Sequence, residues 1–144
     1  MTYSIKEVSE LFGLSIYTIR FYDKQGLLPF VSKNESGHRE FTPSDLAFIQ
    51  TICCLKNTGM QIKDIRKYID FCMEGTSTID SRNALLSEHR QTILEQITTL
   101  NDNLKEIDAK IDVYSSPDAI EIINAQRNYV ANEKSEHRLT NPFA

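Results

Sequence analysis

The chain has no tryptophan, and it has only five glycines and four prolines among 144 residues. So few breakers leave long stretches uninterrupted, and long helices are expected. Its three cysteines, two of them adjacent at Cys53 and Cys54, read as ordinary thiols of a cytoplasmic protein and not as a disulfide frame. No cysteine follows Cys72, no C-x-x-C pair occurs, and His89 and His137 stand alone, so no metal site is expected. Neighbouring cysteines on a helix also point about 100° apart, which makes them poor chelate partners. No motif joins His38, His89, His137 and the thiols into an acid, base and nucleophile set, so neither an enzyme nor a cofactor is expected. No apolar run approaches the roughly 20 residues that cross a bilayer. The opening MTYSIKEVSE lacks the apolar core of a signal peptide, which predicts a cytoplasmic protein without a membrane partner.

Excess positive charge is also lacking, since the net charge is −4. Its distribution matters more than its sum. The first 74 residues balance nine Lys and Arg against nine Asp and Glu, and the acidic surplus lies beyond them. A neutral segment still binds DNA if its cations share one face.

What is present begins with local helix signals. SIKEVSELFG has Ser4 as N-cap, Glu7 three residues later, an apolar stripe of Ile5, Val8, Leu11 and Phe12, and Gly13 as a stop. Ser15 caps a second helix, IYTIRFYDKQ, that ends at Gly26. Two short helices joined by GLS form either a helix-turn-helix or an ordinary helical hairpin. LLPFVSKNESGHREF then reads as a short hairpin around a polar turn, with Lys33, His38 and Arg39 in reach of a phosphate backbone. Thr42, Pro43 and Asp45 start a third helix running to about Asn57. A fourth, QIKDIRKYIDFCME, places Ile62, Ile65, Ile69, Cys72 and Met73 on one face and stops at Gly75.

From Ile93 the apolar positions Ile97, Leu100, Leu104, Ile107, Ile111 and Tyr114 follow in alternating steps of four and three, a heptad seam. Counted from Asp80 the helix is about 35 residues, roughly 50 Å. No second helix of that length exists in the chain to cover the seam, so a homodimer is the simplest solution. After SSPD a short helical stretch, DAIEIINAQRNYV, is expected, followed by a frayed NEKSEHRLTNPFA. The implied division is a DNA-binding domain at 1–75, a dimerisation helix at 76–115 and a short C-terminal tail at 116–144.

GLSIYTIRFYDKQGLL, then GHREF, then CLKNTG, in that order and spacing, resemble the MerR family of bacterial transcription regulators over about residues 3–75. The resemblance implies a mainly α fold: a winged helix-turn-helix with a small β-hairpin wing, followed by a long dimerisation helix that forms an antiparallel coiled coil in the dimer. It implies that Tyr17 and Thr18 face base edges, that Arg20 and Tyr22 grip backbone or base edges, and that Arg39 and Lys56 hold phosphates. Phe21 is expected to pack. Two departures stand out. Phe41 replaces a usual Tyr, and an Arg common after the wing proline is missing, a place Lys33 is expected to fill.

The implied function is a sequence-specific regulator that binds double-stranded promoter DNA as a homodimer at a palindromic site, distorts the spacer, and affects RNA polymerase only through the promoter. Only about thirty residues follow the dimer helix, too few for the ligand domain of drug-sensing relatives. On the helical wheel Cys53 falls at the edge of the apolar face of the third helix, and Cys54 falls opposite it. Some members without a ligand domain carry a thiol where Cys54 stands and respond to aldehydes or related thiol-reactive stress, so the resemblance makes Cys54 the candidate effector-sensing residue. The alternatives are an inert thiol in a regulator with a non-covalent effector or none, and a coiled-coil interaction module without specific DNA binding.

Overall fold

The computed structural model describes residues 1–144. In chain order the elements are α1 (Ile5–Phe12), α2 (Ile16–Lys24), β1 (Ser32–Lys33), β2 (Arg39–Glu40), α3 (Pro43–Asn57), α4 (Ile62–Glu74), a 3-10 turn (Thr76–Thr78), α5 (Ile79–Ser115) and α6 (Ala119–Glu136). The architecture is mainly helical with one two-stranded antiparallel hairpin, in which Ser32 pairs with Glu40 and Lys33 with Arg39.

Local chemistry explains the boundaries. At α1 the Ser4 hydroxyl accepts from the Glu7 amide while the Glu7 carboxylate accepts from the Ser4 amide, and Gly13 closes the helix at φ 63°, where a side chain would be strained. Thr42 and Asp45 make the same reciprocal cap at α3, with Pro43 supplying a first helical residue that needs no N–H partner. Between β1 and β2 the Asn34 side-chain oxygen accepts from the Ser36 and His38 amides and shapes the turn. The hairpin gains a further bridge, which the sequence did not announce, where Tyr3 and Phe41 exchange both backbone hydrogen bonds.

Two compact units result, Met1–Ile93 and Leu94–Ala144. The first is built on Val8, Ile19, Tyr22, Leu27, Leu28, Val31, Phe41, Ile49, Ile52, Leu55, Met60, Ile65 and Ile69. Leu85 and Leu86 in the first turns of α5 pack on this core. Arg82 fixes the same joint. It donates to the Thr78 hydroxyl at 3.0 Å and to the Phe71 and Gly75 carbonyls at 3.2 and 2.8 Å, neutralising the C-terminal end of α4.

Gly26, at φ 80°, takes a left-handed conformation that a side chain would strain. Three expectations need correction. Met73 lies exposed instead of on the buried face of α4, since Ile65 and Ile69 already fill the core there. Phe21 is 41% exposed rather than packed, with its ring tilted against Tyr22 at 6.2 Å. In the second unit α6 runs to Glu136, well past Val130, and Arg127 lies over the Phe143 ring at 4.1 Å. No helix is long and apolar enough to cross a membrane.

Candidate nucleic-acid interface

The short turn after Gly13 and the Ser15 cap, whose hydroxyl accepts from the Thr18 amide at 3.0 Å, set α2 on the first unit with one face inward. Ile19 and Tyr22 fill the core, so Tyr17 and Arg20 are left outward; Tyr17 is 81% exposed and Thr18 half-buried. A helix that anchors one stripe and presents an aromatic and a cation on the other has the form of a groove-reading helix.

Tyr22 is the residue whose position departs most from a simple surface contact. Its side chain is only 7% exposed, and burial, then the neighbouring Cys53, pushes its phenol above the usual range. The hydroxyl makes no hydrogen bond within the chain, yet no buried side-chain oxygen is left without a partner, so this oxygen reaches solvent. The ring is core and its tip is surface. Phe41, by contrast, is fully buried, so a phenol there would have to bring its hydroxyl into the core.

The wing brings Lys33 and His38 out into solvent, and Lys56 is exposed in the last turn of α3. Arg20, His38 and Arg39 line one cleft of about 550 Å³ between α2 and the hairpin, while Lys56 does not belong to it. Arg39 is not a free cation. Its Nε donates to Asp23 Oδ2 at 3.1 Å, its Nη2 donates to Asp23 Oδ1 at 2.9 Å, and its Nη1 donates to the Val31 carbonyl. The expected phosphate-holding Arg39 is thus first a brace between wing and α2. Asp23 was not foreseen, because a partner 16 residues away leaves no local signal.

The thiols separate as the helical wheel predicts. Cys53 is partly buried against the core, and that burial pushes its thiol up; Cys54 is exposed. The Cys54 carbonyl accepts from the Thr58 hydroxyl at 2.8 Å, and that hydroxyl also lies 2.7 Å from His89 Nε2. His89, read from sequence as isolated, therefore ties α5 to the end of α3. A groove of about 610 Å³ between α4 and the start of α5 carries Lys63 and Lys67 but also Asp64 and Glu88, so its field has no single sign.

Comparison with known proteins shows what the chain as a whole resembles. Residues 3–72 match the model described as MerR HTH family regulatory protein, and residues 46–110 match that described as MerR, DNA binding. An uncharacterized HTH-type transcriptional regulator of Haemophilus influenzae is 38% identical over 125 residues, covering 87% of this chain and 93% of that protein. The crystal structure of HiNmlR, a MerR family regulator lacking the sensor domain and bound to promoter DNA, is similar with a TM-score of 0.76 and 39% identity over 84% of this chain and 96% of that one. A MerR family regulator from Bacillus thuringiensis is similar with a TM-score of 0.72 and 45% identity, covering 77% and 97%. A winged helix-turn-helix matched along most of its length by transcriptional regulators is a DNA-binding transcriptional regulator, and the chain belongs to the MerR family.

Proposed function

We propose that two copies of the chain join along α5 as an antiparallel coiled coil and bind a palindromic promoter site, one winged unit per half-site. The observation that carries this reading is the bare seam: Ile97, Leu100, Leu104, Ile107, Ile111 and Tyr114 are 47–67% exposed in the single chain. Residues 1–75 act as the DNA-reading part, 76–115 as the dimer helix and 116–144 as a tail. Tyr17, Thr18 and Arg20 meet the groove, while Lys33, His38, Lys56 and the Tyr22 hydroxyl meet phosphates. Arg39 contributes by holding the wing against α2.

Two groove-reading helices on a twofold dimer require two half-sites related by the same symmetry. A dimer that also bends or untwists the spacer changes promoter shape, and protein contacts offset an elastic cost of order several kcal/mol. RNA polymerase then responds to the altered DNA and needs no contact with the protein. The DNA-bound relative without a sensor domain supports a regulator of this size acting on a promoter.

Cys54 is the proposed switch. It is exposed at the end of α3 and next in the chain to Leu55 and Lys56, so an aldehyde or other thiol-reactive electrophile attached there alters the segment that carries Lys56. Transcription in vitro from a promoter bearing the selected operator tests this, with and without an aldehyde, for wild type and Cys54→Ser. Aldehyde-dependent transcript in the wild type and none in the variant is the expected result. Equal responses would return Cys54 to an inert surface thiol while leaving DNA binding in place.

A further inference from the structure

Asp23 stands in the last turn of α2 and lines the same cleft as Arg20, His38 and Arg39, a cleft that also carries Glu7 and Glu40. Its ion-pair partner is Arg39, and the pair is forked, with both Asp23 oxygens engaged at 2.9 and 3.1 Å. Nη1 of the same guanidinium is taken by the Val31 carbonyl. The two side chains keep only 28% and 31% of their exposure, so solvent and salt screen the pair less than an open surface bridge. A planar fork is also what arginine offers to phosphate. Asp23 therefore occupies the donor edge that a phosphodiester would take. Because Asp23 belongs to α2, Val31 to the loop after it and Arg39 to β2, one guanidinium also fixes the wing relative to α2.

We infer that Asp23 is a specificity-determining residue: it withholds the Arg39 fork from the backbone of non-operator DNA and keeps the wing in register with α2. The inference rests on the DNA-binding reading of α2 and the wing. Phosphate contacts add affinity on every sequence, whereas base contacts add it only on the right one. On non-operator DNA the protein is not held by base edges, and a released Arg39 finds a phosphate. On the operator α2 is already seated, and losing the brace costs the alignment of Lys33 and His38. Releasing Arg39 therefore narrows the gap between operator and non-operator binding from both sides.

The test is a double-mutant cycle of Asp23→Asn and Arg39→Met in the full-length chain. Binding is measured over a salt series to a duplex that the wild type selects from a random pool and to an unselected duplex of equal length. Asp23→Asn is expected to raise unselected-duplex affinity severalfold and to steepen its salt slope by about 0.9 per protomer, the value for one added phosphate contact. In the Arg39→Met background the same change is expected to do neither. Arg39→Lys, which keeps the charge but not the fork, is expected to lower the selected-to-unselected ratio as Asp23→Asn does, and it decides the matter if the Asn variant melts early in circular dichroism. No change with Asp23→Asn, or an equal rise in both backgrounds, overturns the inference, the second result meaning general charge removal. A wild type that selects no duplex overturns the DNA reading and this inference together, whereas a selective wild type with an unaffected ratio overturns the inference alone.

Discussion

At the scale of single residues, Cys53 and Cys54 share a helix and differ in nearly everything else. Burial raises the Cys53 thiol above its ordinary value of 9.0, so its thiolate is scarce at neutral pH, while exposure alone opens Cys54 to reagents. Mass spectrometry after brief treatment with iodoacetamide at pH 7.5 is expected to find the label on Cys54 at least tenfold more than on Cys53. Equal labelling would mean that α3 opens locally. Burial also gives a pH dependence of stability. The folded state holds the Cys53 and Tyr22 protons more tightly than the unfolded chain does. Their contribution is therefore whole below the unfolded thiol value and is lost as pH climbs through about 9 and then 10 towards the folded values. Chemical denaturation between pH 7 and 10.5 is expected to show stability falling over that window, and less steeply in Cys53→Ala relative to its own value at pH 7.

At the scale of elements, caps carry the folding instructions. Thr42 ends the wing and begins α3, so Thr42→Ala removes the hydroxyl from the Asp45 amide just where the chain turns out of the hairpin. The expected loss is about 1 kcal/mol, read as a fall in melting temperature of about 4–8 °C for a unit of this size, at matched protein concentration. No fall would mean that Pro43 and Asp45 suffice to start the helix. The same locality explains what could be read without a structure. Ser4, Ser15, Thr42 and Gly75 mark helix boundaries from inside a few residues, and α1 through α4 were legible for that reason, while α5 was legible from its heptad period. The far end of α6 was not, because NEKSE has no apolar period even though Glu and Lys are good helix formers. Arg39 could be named as a wing cation but not as the partner of Asp23, since ion pairs made across the fold leave no trace in local spacing. Tyr22 looked like a contact residue and is mostly core, because a phenol serves both ends at once.

At the scale of the whole molecule, the seam on α5 is what the proposed pairing of two DNA-reading units rests on. Its leucines and isoleucines are already about half covered, so completing their burial against a partner contributes about 0.8–1.5 kcal/mol each, and a seam of this length on both chains offsets an association cost of about 4–15 kcal/mol in the proposed dimer. Leu104 is near its middle. Leu104→Asp is expected to give a monomer in sedimentation velocity and to cost at least a hundredfold in affinity for the selected duplex, with the melting of the first unit little changed. Lys105→Ala on the polar face, where the nearest carboxylate oxygen is 4.0 Å away, is expected to leave the dimer intact. Orientation needs a different measurement, since a heptad seam alone fits parallel and antiparallel pairs. An antiparallel seam centred on Leu104 sets Ile97 opposite Ile111, whereas a parallel one sets each residue opposite itself. Oxidation of a mixture of Ile97→Cys and Ile111→Cys chains, in a background of Cys53→Ala, Cys54→Ser and Cys72→Ala, separates the two: the proposed dimer crosslinks the unlike chains, and like-with-like crosslinks would mean a parallel pair. The outcome bears on the proposed promoter binding, because an antiparallel pairing puts the two helix N-termini at opposite ends of the seam, and that separation is what the proposed hold on two half-sites with distorted DNA between them requires.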